Sequence, residues 1–259
     1  MAEKSKFDTE TTARHYAAAR PTYPSELFDT LDDLLGHRLA EASVVDVAAG
    51  TGISSRQLAE RGARVTAVEL SGAMIAELAS SSPGVRVVQG SGHALPLADE
   101  SADLITYAQA WHWMDPAQAL PEIRRVLRPG GVLALWWNQT DRNSGWERQQ
   151  AERITAVAGP HWNRYSANEM SERIALPEDL TVHTFTFDWE RTVPMDTHLS
   201  NVASKSYIAA LGEGAQPFLA TERELLSEHF PDGRVTEKFS TLLVATLPNG
   251  GGLSIGGAS

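Results

Sequence analysis

The stretch Val44-Val45-Asp46-Val47-Ala48-Ala49-Gly50-Thr51-Gly52 decides the fold. Its first four residues are mostly apolar and β-branched, which predicts a short buried strand. The small residues that follow predict a tight turn at the end of this strand. A helix is expected next, with Ser54 as its N-cap and Gly62 ending it.

A second strand and an acidic residue complete the pattern. The run 64–70 is apolar and carries Glu69, which lies 19 residues after Gly50. This order of strand, glycine-rich turn, helix, strand and acid is typical of the opening half of a Rossmann-type unit. In such a unit, an acid about 20 residues after the glycine-rich turn binds the ribose of the ligand. Gly50 and Gly52 lack side chains, so a ligand can lie against the backbone there.

The residues around the turn indicate which nucleoside is bound. A dinucleotide site favours a third glycine where this chain has Ser55, and the carboxylate of Asp46 would repel a pyrophosphate. S-adenosylmethionine (SAM) carries a ribose, an ammonium and a sulfonium but no phosphate. The pattern therefore favours SAM over NAD, and a turn that merely joins strand to helix is the structural alternative.

The same stretch resembles motif I of the class I SAM-dependent methyltransferases, with Ala48 where the family usually has glycine. Two further segments carry the resemblance, which covers about residues 12–140. The run 90–97 is similar to the family's Gly-Asp-Ala-x-x-Leu-Pro segment, with Ser91 in place of the acid that binds adenine. The run 126–131, Val-Leu-Arg-Pro-Gly-Gly, is similar to the pattern before strand five.

The resemblance implies an α/β fold, a Rossmann-like seven-stranded mostly parallel sheet with helices on both faces and a small helical cap. We expect one SAM-binding domain over residues 1–247, with helices within 145–211 forming part of the cap, and a disordered Gly/Ser-rich tail over 248–259. The sequence pattern predicts helices over 24–40, 71–79, 116–127, 145–158, 167–174, 196–211 and 216–230, and strands over 85–89, 104–108, 132–137, 182–189 and 242–247.

The resemblance also implies a set of cofactor-binding residues. A helical segment over 7–20 is expected to lie across the cofactor, where Tyr16 stacks and Arg20 pairs with a carboxylate; a plain amphipathic helix is the alternative. Leu70 and Met74 are placed to touch the adenine or ribose. The full expected set is Tyr16, Arg20, Asp46, Ala48, Gly50, Thr51, Gly52, Glu69, Leu70, Met74, Ser91, Gly92, His93, Ala108 and Gln109.

The segment Gln109-Ala110-Trp111-His112-Trp113-Met114 follows the fourth predicted strand, where ligands bind in open α/β sheets. His112 is the candidate catalytic residue. It is a base if the acceptor is a hydroxyl or amine, a hydrogen-bond donor if the acceptor is a carboxylate, and a structural residue otherwise. The expected substrate-binding residues are Trp111, Trp113, Trp137 and Lys205.

This His-Trp pair resembles that of small-molecule carboxyl methyltransferases of the trans-aconitate, juvenile-hormone-acid and plant salicylate types. The resemblance implies O-methylation of a carboxylate or hydroxyl of a small organic molecule. Two other functions stay open at this point. One is a methyltransferase fold that binds SAM without transferring methyl, as a cyclase or binding module, and the other is an NAD-linked oxidoreductase.

Composition narrows the class of partner. The 259 residues are enough for one large α/β domain, and their formal net charge of −11 argues against nucleic acid as substrate. The chain has no cysteine, which excludes disulfides, thiolate metal sites and a cysteine nucleophile. We expect a cytoplasmic protein with no membrane segment, either a monomer or a homodimer, with a small-molecule substrate and no bound metal.

Overall fold

The strands and helices follow the predicted alternation closely. The computed structural model describes residues 19–140, 145–159, 174, 176–177 and 180–248. Among these residues, short 3-10 turns at Leu39–Glu41, Trp111–Trp113 and Gly212–Gly214 lie between the main elements. The main elements are α1 Ser25–Leu35, β1 Ser43–Val47, α2 Ile53–Glu60, β2 Arg64–Glu69, α3 Gly72–Ser81, β3 Arg86–Gln89, β4 Ala102–Ala108, α4 Pro116–Val126, β5 Leu127–Thr140, α5 Gly145–Ala158, β6 Leu180–Pro194, α6 Met195–Ala203, α7 Ser206–Ala209, α8 Ala215–His229 and β7 Arg234–Pro248.

The strands form one seven-stranded sheet in the order β3-β2-β1-β4-β5-β7-β6. The first five strands in this order pair in parallel, and β7 pairs antiparallel with both β5 and β6. The strand order reverses direction between β1 and β4. Open α/β sheets bind ligands outside the carboxyl ends of their strands at such a reversal. The expected Rossmann-like, mostly parallel seven-stranded sheet is confirmed.

Helices cover both faces of the sheet. On one face, the apolar sides of α1, α2 and α3 pack through residues such as Phe28, Leu58 and Leu78. On the other face, α4 packs through Ile123 and Val126. The alternating side chains of the central strands divide between these two cores, which explains why their sequences are almost continuously apolar.

Two helix boundaries differ from prediction because glycines act as caps. The helix expected over 24–40 ends at Leu35, where Gly36 adopts φ 70° and its N–H bonds to the carbonyl of Asp33. The helix expected to start after Ser54 starts at Ile53, with Gly52 as its N-cap. Ser54 is buried inside the first turn of α2 and is not the N-cap.

The hairpin of β6 and β7 extends beyond the rest of the sheet. Thr140, the last residue of β5, lies level with Phe239 in β7, whereas β6 continues to Pro194, which pairs with Arg234. This extension lies beyond the carboxyl ends of the parallel strands. Helix α6 begins directly after it, and α5, α7 and α8 gather around α6. The helix expected over 196–211 is interrupted at Ser204 and Lys205, so Lys205 lies in a bend and not on a helix.

Some predictions fall outside the described residues. These are most of the helix expected over 7–20, with Tyr16, most of the helix expected over 167–174, and the tail after Pro248. Within the described part of the chain, no helix is long and apolar enough to cross a membrane.

Candidate functional site

The turn after β1 contains three residues with positive φ, which are Ala48 at 54°, Gly50 at 58° and Gly52 at 78°. A Cβ added at Gly50 would meet no atom within 4 Å, so this glycine leaves open space beside the turn. A Cβ at Gly52 would lie 2.7 Å from Cγ of Leu78 in α3. The expectation that both glycines make room for a ligand therefore fits Gly50, whereas Gly52 makes room for the packing of α3.

Glu69 connects the end of β2 to this turn. One of its carboxylate oxygens accepts a hydrogen bond from Gly50 N at 2.9 Å. The other accepts from Leu70 N at 2.9 Å and from Ser71 N at 2.8 Å. The acid thus stands at the predicted distance along the chain and is fixed in orientation by three backbone donors. A carboxylate has about four lone-pair sites, so the oxygen that accepts from Gly50 N can still accept a further hydrogen bond.

Asp46 lies near the end of β1, as the sequence predicts, and is fully buried. Its side chain has no exposed surface, and its two oxygens accept from Ser55 Oγ at 2.6 Å and Thr106 Oγ1 at 2.8 Å. The carboxylate therefore lies beneath the turn and does not face the crevice, because α2 directs Ser55 onto it. Burial raises the pKa of Asp46 from 3.8 to about 6, and the hydroxyl hydrogen bonds offset only part of this rise.

The remaining turn residue, Thr51, is buried, and its Oγ1 has no hydrogen-bond partner within the described residues. Buried polar atoms are rarely left unpaired. A hydroxyl that can both donate and accept, next to the open side of Gly50, fits a polar ligand in the crevice.

The end of β2 carries an exposed apolar residue. Leu70 is 67% exposed, whereas Met74 is buried on the first turn of α3, where its N–H bonds to Ser71 Oγ at 3.4 Å. An exposed leucine next to Glu69 can cover the apolar face of a base, as predicted for Leu70. Met74 has little surface left for such a contact.

The loop after β3 is held by its own side chains. Ser91 Oγ accepts from His93 N at 3.2 Å, and His93 Nε2 accepts from Asp115 N at 2.9 Å. His93 is half-buried, and its ring ties the loop to the start of α4. A Cβ at Gly92 would lie 2.7 Å from Sδ of Met114, so Gly92 permits close packing.

The end of β4 contains a second strained position. Ala108 and Gln109 are half-buried, and Gln109 adopts φ 58° while its N–H bonds to Trp136 O at 2.8 Å. Non-glycine residues at positive φ cluster at functional sites. Ala48 and Gln109 lie at the carboxyl ends of the two neighbouring strands β1 and β4, on either side of the reversal in strand order.

The predicted aromatic cluster divides between the core and the surface. Trp111 is buried against Tyr107, with ring centroids 5.1 Å apart, and Trp137 is buried in the same core. Trp113 is 67% exposed. Of the three tryptophans expected to contact substrate, Trp113 therefore offers most of its surface, and Trp111 serves packing because neighbouring residues in the 3-10 turn point apart.

His112 lies between the other members of this cluster. Its ring contacts Trp113, with centroids 4.8 Å apart, and its Nδ1 accepts a hydrogen bond from Trp137 Nε1 at 3.4 Å. An indole N–H is only a donor, so Nδ1 must be the unprotonated nitrogen of a neutral ring. The proton of the neutral imidazole then resides on Nε2.

Residues 19–24, which we call the N-terminal strap, cross from the extended hairpin to α2. Arg191 Nη2 donates to Ala19 O at 2.9 Å, and Arg20 Nη2 donates to Ser204 O at 3.4 Å. At the other end, Tyr23 exchanges two hydrogen bonds with the side chain of Gln57. Arg20 therefore meets a backbone carbonyl next to Lys205.

Several residues that build the site were missed in the sequence. Ser55 and Thr106, which hold Asp46, and Asn138, which contacts the strap, come from distant parts of the chain. The only available sign was Ser55 at the position of a dinucleotide-binding glycine. Asn138 directly follows the predicted fifth strand, but nothing local indicates its partner.

Comparisons with known proteins agree with this geometry. Residues 45–135 match the family model described as a methyltransferase domain. An uncharacterised methyltransferase of Mycobacterium tuberculosis is 37% identical over 216 residues, which is 83% of each chain. A malonyl-[acyl-carrier protein] O-methyltransferase of Enterobacter lignolyticus is 36% identical over 168 residues, which cover 62% of this chain and 66% of that protein.

Among solved structures, a putative type II methyltransferase from Anaeromyxobacter dehalogenans superposes with a TM-score of 0.70 at 23% identity. The match covers 88% of this chain and 97% of the other. This likeness establishes the shared fold.

Proposed function

The chain belongs to the class I SAM-dependent methyltransferases, and from this premise we propose that it transfers the methyl group of SAM to a carboxylate oxygen of a small organic acid. The observation that carries the choice of acceptor is the hydrogen bond from Trp137 to Nδ1 of His112. Membership of this family removes the NAD-linked oxidoreductase from consideration.

We place the cofactor in the crevice at the carboxyl ends of β1, β2 and β4. Glu69 would accept hydrogen bonds from the ribose, Leu70 would cover the adenine, and the open side of Gly50 would admit the ligand. The unpaired hydroxyl of Thr51 supports a polar ligand group at this point. Asp46 would act from beneath the turn, where its charge favours the cationic end of SAM without touching it.

The tautomer of His112 favours a carboxylate acceptor. With Nδ1 accepting from Trp137, the neutral ring carries its proton on Nε2, which is then the donor nitrogen of the ring. A donor orients a carboxylate, which has already lost its proton near pH 4 and needs no base. A hydroxyl acceptor needs a base with an unprotonated nitrogen that can take its proton. In His112 that nitrogen is Nδ1, which already accepts from Trp137.

The charges around the bend at Lys205 also favour an anion. Arg20 donates to the carbonyl of Ser204, so its guanidinium lies beside the backbone of the bend that carries Lys205. One or two local cations are enough to recognise a small organic acid, even in a chain with a net charge of −11. We propose that α5, α6 and α7, together with α8, form the cap over this acid, since they pack around the hairpin that extends past the carboxyl ends of the strands.

When bound, SAM supplies a methyl group activated by its sulfonium, with S-adenosylhomocysteine as the product. The protein has to align the acceptor and exclude water. His112 would hold one carboxylate oxygen while the other attacks the methyl carbon. Trp113, exposed beside His112, would cover the apolar part of the acid. The name of the Enterobacter relative, an O-methyltransferase, supports transfer to oxygen.

Two substitutions of His112 test this role. His112→Gln keeps a hydrogen-bond donor but cannot act as a base, whereas His112→Ala removes both functions. We expect His112→Gln to retain within about tenfold of the wild-type kcat and His112→Ala to lose about 10²-fold, the scale of one positioned catalytic group. The wild-type rate should not follow a histidine titration between pH 6 and 9.

The assay is release of S-adenosylhomocysteine with panels of organic acids, phenols and amines. Turnover confined to acids, with the His112→Gln variant active, agrees with the proposal. Turnover of phenols or amines, with both variants equally impaired and a rate that rises through pH 6.5, would instead make His112 a base. Release with none of the three panels would favour a protein that binds SAM without transferring methyl to such acceptors.

A further inference from the structure

A line of side-chain hydrogen bonds runs across the carboxyl edge of the sheet from β6 to the N-terminal strap. Trp189 Nε1 donates to Thr241 Oγ1 at 2.8 Å, and Thr241 Oγ1 donates to Asn138 Oδ1 at 2.6 Å. Asn138 Nδ2 then donates to Thr22 O of the strap at 2.8 Å. We call these three side chains, Trp189, Thr241 and Asn138, the relay.

The relay has a fixed direction. An indole N–H can only donate, so the oxygen of Thr241 must accept from Trp189. A hydroxyl has one proton, and Thr241 therefore donates it to Asn138 Oδ1. The amide group of Asn138 is thereby oriented with its oxygen toward β7 and its NH₂ toward the strap.

Packing holds the start of the relay in place. The ring of Trp189 is stacked on Phe239, with centroids 4.8 Å apart and planes inclined by 26°. Arg191 lies over the same Phe239 ring and is fixed by Glu237. Trp189 thus has little freedom to turn its N–H away from Thr241.

Asn138 also lies next to the strained end of β4. Gln109 Nε2 donates to Asn138 O at 3.4 Å, so the backbone of Asn138 contacts a residue of the crevice while its side chain contacts the strap. At its other end, the strap is held by the pair of hydrogen bonds between Tyr23 and Gln57 in α2, the helix that begins at the turn after β1.

From this geometry we infer that Asn138 is a positioning residue for the cofactor, and that Trp189 and Thr241 orient its amide so that it fastens the N-terminal strap beside the crevice. The inference rests on the proposed placement of SAM in that crevice. A fastened strap slows the escape of the cofactor and leaves the methyl-transfer geometry to other residues. Loss of the relay should therefore weaken SAM binding more than it lowers kcat.

Two variants break the relay at different points. Asn138→Asp replaces the donor facing Thr22 O by a second acceptor, and Thr241→Val removes the hydroxyl that orients Asn138 at nearly constant volume. Thr241→Ser restores the hydroxyl. Thr246→Val makes the same change at a buried threonine near the other end of β7 and serves as the matched control.

The first readout is the exchange rate of the Tyr23 backbone amide, followed by NMR, since this amide reports whether the strap is seated against Gln57. We expect Asn138→Asp and Thr241→Val to accelerate it up to about tenfold, the effect of losing one ordinary hydrogen bond. Thr241→Ser should return toward the wild-type rate, and Thr246→Val should not change it.

The second readout separates this inference from the proposed function. Titration with S-adenosylhomocysteine gives a Kd even if no acceptor is methylated. In both relay variants we expect this Kd to rise together with the exchange rate of the Tyr23 amide. Where turnover is measured, KM for SAM should rise and kcat should stay within about twofold. The inference would be overturned if both relay variants kept the wild-type Tyr23 exchange rate and the wild-type Kd. It would also be overturned if Thr241→Val and Thr246→Val had equal effects. A relay that behaves as predicted in a protein that methylates no acid would contradict only the proposed function.

Discussion

Two buried carboxylates, Asp46 beneath the turn after β1 and Glu237 in the extended hairpin, have opposite electrostatic surroundings. Asp46 accepts hydrogen bonds from the uncharged hydroxyls of Ser55 and Thr106, and burial raises its pKa to about 6. Burial acts on Glu237 as well, but hydrogen bonds and charge from His198 and Arg191 outweigh it and hold its pKa below the ordinary range. In the hairpin, the buried carboxylate of Glu237 is paired with a cation, Arg191. In the turn after β1, no cation lies among the described groups that act on the buried carboxylate of Asp46.

The difference follows from what each region has to do. Glu237 belongs to a buried polar network in which His198 Nδ1 lies 2.7 Å from Glu237 Oε1 and His198 Nε2 lies 3.0 Å from Gln150 Nε2. Gln150 continues to Glu222, which pairs with Arg153. These contacts join α5, α6 and α8 to the hairpin. The turn keeps an uncompensated acid, and a ligand carrying an ammonium and a sulfonium would complete it.

The largest expected effect is on the hairpin. Arg191→Ala leaves Glu237 buried without its arginine, and breaking a buried pair in this way costs about 3–5 kcal/mol of unfolding free energy. Arg223→Ala is the matched control, because its pair with Asp196 is largely exposed, and it should cost less than about 1 kcal/mol. Urea unfolding of both variants measures this. Equal losses would show that the hairpin's charge compensation is not important for stability.

A smaller effect of opposite sign is expected at the turn. The folded pKa of Asp46 is about 6 against an ordinary value of 3.8, so its ionisation favours the unfolded state and stability falls as pH rises between these values. Asp46→Asn should therefore stabilise the ligand-free protein at pH 8, by at most about 3 kcal/mol, and the gain should vanish below about pH 4. The same variant should bind S-adenosylhomocysteine more weakly.

Asp103 provides the control for this prediction. Burial raises its pKa, but the hydrogen bond and charge of Arg128 and the N–H of Ser43 outweigh this, and the net pKa is lowered. A lowered pKa contributes stability above the unfolded value that is lost as pH falls, so Asp103→Asn should destabilise the protein at pH 8. Loss of stability in both variants would mean that Asp46 is compensated in the same manner as Glu237.

The smallest expected effect concerns backbone strain in the turn. Ala48 adopts φ 54°, a conformation that costs a non-glycine residue about 1 kcal/mol or more. Ala48→Gly should therefore raise the free energy of unfolding by about 1 kcal/mol. Ala49→Gly, one residue on and at negative φ, should lower it by about 0.5–1 kcal/mol. Thermal unfolding of the two variants should shift in opposite directions, and a shared direction would argue against strain at Ala48.

The turn after β1 and the extended hairpin also differ in how well their structures could be predicted from the sequence. The sheet and the turn follow from local patterns, since a β-branched run, small residues and an acid at fixed spacing define the β1–α2–β2 unit. The family resemblance then accounted for a seven-stranded, mostly parallel sheet with helices on both faces. Ala48, where the family usually has glycine, turned out to be a strained residue at positive φ.

Other features depend on residues that are distant in sequence. Thr106 reaches Asp46 only because β4 pairs with β1, and Trp137 reaches His112 only because β5 pairs with β4. No periodicity records such pairs, so the sequence could predict neither the hydroxyl partners of Asp46 nor the tautomer of His112. The polar network around Glu237 joins three helices to a hairpin, and its members carry no local motif.

A crystal structure of the protein with S-adenosylhomocysteine tests the central claim most directly. We predict that the ribose hydroxyls bond to Glu69, that the adenine lies on Leu70, and that the homocysteine end passes Gly50 above the buried Asp46. S-adenosylhomocysteine bound away from this turn, or a turn closed by protein side chains in the complex, would contradict the account.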